Sequence, residues 1–178
     1  ELLDGQAREI LNLLSTYSSS LKLFEQYDKG TVVKRQKEKA KFILKFEECQ
    51  EVITKIKKEL FLKREASDFF GRENSDRLAG IIKGIYQTFD GKELYKSLEE
   101  KAANILYLII KDHPFVDGNK RIASFLFIYY LDKNNYLYKK TGEKKINDNA
   151  LTALALLIAV SDPKEKEIMI NITTNLIG

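Results

Sequence analysis

Apolar positions recur every three or four residues over most of this chain, the spacing of a helix face laid against a core. Leu2, Leu3, Ile10, Leu13, Leu14, Tyr17, Leu21 and Phe24 predict a helix over residues 1–28. Asp28-Lys29-Gly30 ends it, with Gly supplying a left-handed cap. The Ser18-Ser19-Ser20 run weakens its continuity. Phe42, Ile43, Phe46, Val52, Ile53, Ile56 and Leu60 predict a second, long helix. Residues 65–80, with Gly71, Asn74, Ser75 and Gly80, predict a loop or short helix. Phe69, Phe70 and Leu78 run through that stretch, so it does not read as a domain linker.

The pattern then changes. Ile81, Ile82, Ile85, Tyr86, Thr88 and Phe89 are β-formers, and Asp90-Gly91 follows them. An Asp-Gly pair between β-prone runs predicts a hairpin, because a type I′ turn needs positive φ. Ser97-Leu98-Glu99-Glu100 is a capping box that opens a helix to about Lys111, with Leu98, Ala102, Ile105, Leu106 and Ile109 on one side. Another helix starts near Asn119 or Lys120, carries Ile122, Phe125, Leu126, Ile128 and Tyr129, and stops at Asp132-Lys133-Asn134-Asn135. The remainder reads as helical: Asp148 caps 149–160, and Asp162-Pro163-Lys164-Glu165 is a further helix start with Pro at the first position. No internal repeat is visible. The expected fold is all-α, a helical bundle with one small β-hairpin.

Composition narrows this picture. The 178 residues are 44% hydrophobic and 31% charged, enough apolar side chain for one folded domain. A lone cysteine, Cys49, excludes an internal disulfide framework and a multi-Cys metal site, and one His excludes a His-rich zinc site. The composition is of an intracellular type, and the expected location is the cytoplasm. The net charge is 30 − 26 = +4. Lys34, Arg35, Lys37, Lys39, Lys41 and Lys45 form a basic run, either a nucleic-acid patch or the wet face of a long helix. Helical spacing of the neighbouring apolar residues favours the wet face. No apolar run nears the ~18–20 residues of a membrane span; the longest is Ala153 to Val160. The chain starts at Glu1 with no basic leader and no Met, which reads as a fragment of a longer protein.

The chemistry concentrates in His113-Pro114-Phe115-Val116-Asp117-Gly118-Asn119-Lys120-Arg121. Pro114 prevents the preceding helix from continuing, and Gly118 relieves backbone sterics before the next begins. The first amides of that next helix have no intrahelical partner and make an anion site. Lys120 and Arg121 add positive charge. Asp117 is a hard carboxylate suited to Mg²⁺. His113, the chain's one imidazole, is a candidate general base. Base, carboxylate, amide nest and Arg within nine residues suit phosphoryl or nucleotidyl transfer, which needs mainly positioning and charge neutralisation.

The string resembles the signature of the Fic/Doc (Fido) family, His-x-Phe-x-[Asp/Glu]-Gly-Asn-[Gly/Lys]-Arg. The surroundings over roughly residues 70–178 agree with it, and they resemble the C-terminal half of RhuM-type virulence proteins, which carry a Fic domain after a separate N-terminal region. The resemblance implies a single Fic domain over 1–178, with N-terminal helices at 1–64 and a Fic core at 65–178. It implies that His113 takes the proton from a target hydroxyl, Pro114 and Phe115 hold the loop, Asp117 binds Mg²⁺, and Gly118, Asn119 and Lys120 surround the nucleotide phosphates that Arg121 pairs. Thr88, Phe89, Asp90 and Gly91 match the flap that aligns the acceptor. The substrates implied are ATP, or another nucleotide, and a protein with a Ser, Thr or Tyr hydroxyl. The setting implied is a bacterial cytoplasm, or a host or target cell if the protein is delivered as a toxin or virulence factor.

Two departures bear on the activity. AMP-transferring members have Gly where this chain has Lys120, and a second Arg where it has Ser124. Doc, a phosphotransferase, has Lys at the first of these. The favoured activity is adenylyl transfer; the alternatives are Doc-like phosphate transfer and a non-catalytic nucleotide- or nucleic-acid-binding module. Nucleic acid would enter only through a further N-terminal region or weakly through 34–45, and a homo-oligomer stays open. Many family members inhibit themselves with [Ser/Thr]-x-x-x-Glu-[Gly/Asn]. Here the one match to Ser/Thr-x-x-x-Glu is Ser161 to Glu165, but Lys166 follows, and Glu165 reads as a helix cap.

Overall fold

A computed structural model describes residues 2–178. Glu1 and the side chains of Leu2, Leu3, Asp4 and Gln6 lie outside the described residues. The chain divides into two compact units, Glu1–Val33 and Lys34–Gly178. The first holds α1 (Leu2–Thr16) and α2 (Ser18–Asp28). The single helix expected here is broken at Tyr17, where φ −104° and ψ 12° depart from helical values while backbone hydrogen bonds continue across the break. Gly30, at φ +65°, closes α2 as expected: Thr31 N–H donates to the Gln26 carbonyl and Gly30 N–H to that of Tyr27. The apolar stripe expected to be core is exposed at Ile10, Leu13, Leu14, Tyr17, Leu21 and Phe24.

The second unit begins with an extended strap, not the long helix expected from the spacing around Phe42. Residues 31–45 carry no helix, and α3 spans only Phe46–Leu62. The strap's amides find partners far along the chain. Lys37 and Glu38 N–H donate to the buried carboxylate of Glu99 at 3.1 and 3.3 Å. Lys41 and Phe42 N–H donate to Asn134 Oδ1, and Leu44 N–H donates to the Tyr86 hydroxyl. A satisfied extended backbone has no need of helix bonds. Within the basic run, Lys34 is committed to Glu100 at 2.7 Å.

The β-prone stretch from Ile81 is also corrected. Arg77–Ile85 forms α4, with Leu78, Ile81, Ile82 and Ile85 buried at helical spacing. Burial of one face outweighs the β preference of isoleucine. The hairpin itself is present: β1 (Thr88–Phe89) pairs antiparallel with β2 (Lys92–Glu93), and Asp90 and Gly91 sit at φ +50° and +72°.

α5 (Leu98–Asp112) is the central helix. It packs on α4, α6 (Asn119–Lys133), α7 (Asp148–Val160) and α8 (Lys166–Ile177). Nearly every residue from Leu98 to Ile110 is buried, as for a helix surrounded by others. Ser97 caps it by accepting from Glu100 N–H at 3.0 Å, while the Glu100 carboxylate accepts from Lys96 N–H at 3.3 Å. The buried Glu99 carboxylate also accepts from the Tyr136 hydroxyl at 2.8 Å. α6 stops at Asn134 as expected, but residues 136–147, expected as helix, form an irregular turn with a bridge between Tyr138 and Lys144. The cap of α7 is Asn147, one residue before the expected Asp148: its side chain accepts from Ala150 N–H at 2.8 Å. No described helix is long and apolar enough to cross a membrane.

Candidate active site

α5 ends at His113, whose backbone is left-handed at φ +49° and ψ +60°. That conformation is uncommon for a residue with a Cβ, though His is enriched there, and it turns the chain out of the helix. Pro114 and Phe115 are buried behind it. The exposed imidazole places Nδ1 3.3 Å from the Lys111 carbonyl oxygen. A carbonyl only accepts, so in the neutral imidazole this contact puts the proton on Nδ1 and leaves Nε2 as the acceptor.

The loop is held from outside by residues 67–77, a buttress the sequence reading missed. Asn74 N–H donates to the Pro114 carbonyl and Val116 N–H to that of Arg72. Gly71 N–H donates to the Asp117 carbonyl at 3.1 Å. The Asn74 side chain donates to the His113 carbonyl, and Arg77 donates to that of Asp112. The sole hint in the sequence was Phe69-Phe70, apolar residues inside an otherwise polar stretch.

Gly118, at φ +89°, is the N-cap of α6 and has no side chain to satisfy the first-turn amides. Asn119 brackets the loop instead. Its Oδ1 accepts from Phe115 N–H at 3.0 Å and its Nδ2 donates to the Phe115 carbonyl at 2.8 Å. The Asn119 side chain is thus spent on loop geometry, and the anion-binding capacity there lies in backbone N–H groups at the positive end of the α6 dipole.

Asp117 and Arg121 lie four residues apart across the start of α6, with Asp117 Oδ2 3.7 Å from the guanidinium. Ser67 donates to that same Oδ2 at 2.8 Å. Arg121 donates to the Glu65 carbonyl at 2.7 Å and sits 4.6 Å above the centre of the Phe70 ring. Asp117 Oδ1 takes no hydrogen bond from the described residues, and the side chain is 42% exposed. No cluster of three or more His, Cys, Asp or Glu able to hold a metal occurs among the described residues. The donor set fits an ion such as Mg²⁺, which keeps waters and substrate phosphates as ligands and takes one protein carboxylate.

Lys120 is exposed and, with Arg121 and Ser124, lines one side of a cleft of about 510 Å³. Phe125, Leu151 and Ala155 form part of its apolar wall. Thr88, Phe89, Asp90 and Gly91 stand on the exposed hairpin, and among the described residues no hydrogen bond or ion pair joins them to the loop. The structure therefore brings His113, Asp117, Gly118, Asn119 and Arg121 together, places Lys120 at the adjoining cleft, and sets the flap residues on a separate element.

No curated protein and no solved structure matches the chain. Residues 44–131, which run from the end of the strap through the hairpin and the loop into α6, match the model of the Fic/DOC family, and through them the chain belongs to that family.

Proposed function

We propose that this Fic-family transferase, acting on a protein hydroxyl, moves AMP from ATP to a Ser, Thr or Tyr side chain. The observation that carries the reading is the juxtaposition of an exposed imidazole, held through Nδ1, and a helix N-terminus without a side-chain cap, flanked by Arg121. His113 Nε2 accepts the proton of the target hydroxyl as its oxygen attacks the α-phosphorus. The new P–O bond forms as the bond to the β-phosphate oxygen breaks, and pyrophosphate leaves. The first amides of α6 and the Arg121 guanidinium stabilise charge on the phosphate oxygens throughout. Asp117 would hold Mg²⁺, which when bound neutralises phosphate charge. The exposed strand edges of the hairpin offer backbone groups to an extended target segment.

A second reading, transfer of the terminal phosphate, is favoured by one residue. Lys120 supplies a cation at the cleft where AMP-transferring relatives carry Gly. Incubation with ATP labelled at the α- or the γ-phosphate, with Mg²⁺ and a lysate as acceptor, separates the two. Label on protein from the α-position supports AMP transfer. Label from the γ-position alone supports phosphate transfer, and no label from either removes both.

A further inference from the structure

Asp117, just before the N-cap of α6, and Arg121, in its first turn, are opposite charges four residues apart, both nearly half exposed. Two such charges within reach can close into a short, two-pronged contact, because the guanidinium fork matches a carboxylate. Here they do not close; the nearest approach is 3.7 Å. Three groups of the segment after α3 engage the two partners separately. The Ser67 hydroxyl holds Asp117 Oδ2, the Glu65 carbonyl takes one guanidinium nitrogen, and the Phe70 ring lies beneath the guanidinium plane.

We infer that residues 65–70 form a clamp that keeps Asp117 and Arg121 apart, with Ser67 as the positioning residue that holds the carboxylate. The inference rests on the transferase reading above: a carboxylate meant for a cation and an arginine meant for phosphate are both lost if they neutralise each other. Ser67 fits the task because a hydroxyl donates one directional hydrogen bond without adding charge. A Lys or Arg at this position would hold the carboxylate equally well but compete with an incoming cation. The backbone at 65–70 is set in place by the end of α3, where Arg64 adopts φ +59° and Glu65 N–H donates to the Leu60 carbonyl at 2.8 Å. Phe70 is fully buried, so the ring beneath Arg121 is fixed.

The test uses Ser67→Ala, at an exposed position, so the fold is expected to be retained. Its crystal structure is expected to show the Asp117–Arg121 approach shortened from 3.7 Å to about 2.8 Å; an unchanged separation overturns the inference. Calorimetry with ATP in the absence of metal gives a second readout. Ser67→Ala is expected to weaken binding roughly tenfold, because Arg121 is then occupied by Asp117, while Ser67→Thr keeps the wild-type affinity. In an Asp117→Asn background the same Ser67→Ala change is expected to do nothing, since no carboxylate remains to collapse. An equal loss in both backgrounds, or no loss in either, overturns the clamp. A wild-type chain that binds no ATP removes the transferase reading instead, and the Asp117–Arg121 separation in the variant then decides the clamp alone.

Discussion

A Cβ built on Gly118 would stand 2.4 Å from the ring of Phe70, a residue 48 positions earlier in the chain. The loop that carries the candidate chemistry and the segment that buttresses it therefore meet with no room for a methyl group. Gly118 also needs its positive φ to start α6 directly after Asp117. Gly118→Ala is expected to cost about 2 kcal/mol or more in unfolding free energy, the sum of backbone strain and a ring that cannot yield. Chemical denaturation checks this. Part of the loss should return in a Phe70→Leu background, where the ring is gone. A cost below ~0.5 kcal/mol would mean that Phe70 moves aside freely.

His113 combines an uncommon backbone conformation with the chain's one imidazole, so a test of its role must keep the first while removing the second. Asn tolerates the left-handed region better than most residues. His113→Asn is therefore expected to melt close to wild type yet lose 10²- to 10⁴-fold in transfer, about the range for removal of a positioned general base. His113→Ala should lose as much activity with some added backbone strain. Transfer by His113→Asn at the wild-type rate would show that the proton goes elsewhere.

Lys120 lines the cleft beside Arg121 with an exposed side chain. A flexible ammonium next to the first amides of α6 adds a point charge that no fixed geometry aims. Lys120→Gly is expected to raise transfer from α-labelled ATP or to shift label from the γ- to the α-position. Gly at the second residue of α6 also costs about 1 kcal/mol of helix stability, so transfer is compared at a temperature well below melting. Identical label position and rate in the variant would make Lys120 an ordinary solvated residue.

What could be read from the sequence was what local chemistry decides. Asp90-Gly91 specified its turn, Ser97 its cap and Gly30 its helix end, each within four residues of the group it satisfies. The strap at 34–44 was misread because lysines and spaced apolar residues satisfy the rules for a helix. What makes it extended is Glu99, Asn134 and Tyr86, whose side chains take its amide hydrogens from 42 to 93 residues away. α4 was misread for the opposite reason: local β preference was strong, and a buried face against α5 overrode it. The nine-residue loop was legible because its residues are contiguous. Ser67, Asn74 and Arg77 were not, since a polar residue that binds a backbone carbonyl or carboxylate 35 to 50 positions away leaves no mark on its own neighbourhood.

Glu165 offers the last test, because it is the one glutamate four residues after a Ser or Thr and so the one candidate for an inhibitory contact with Arg121. Its carboxylate is already engaged. Asp162 N–H donates to Glu165 Oε2 at 3.0 Å, and Asp162 Oδ1 accepts from Lys164 N–H at 2.8 Å, so the two acids close a reciprocal cap on the turn that leads into α8. A carboxylate at this end also meets the positive pole of the helix dipole. Arg121, for its part, already donates to the Glu65 carbonyl. Leaving the cap to reach Arg121 would cost Glu165 its hydrogen bond and its dipole contact, and Ser124 provides no second guanidinium to repay them. Glu165→Gly is accordingly expected to lose about 1 kcal/mol of stability through the broken cap and to change transfer by much less than tenfold. Thermal melting and labelled-ATP transfer on the same preparation measure both. A tenfold rise in transfer would identify Glu165 as an inhibitory residue and would mean that the cap opens far more readily than its two hydrogen bonds imply.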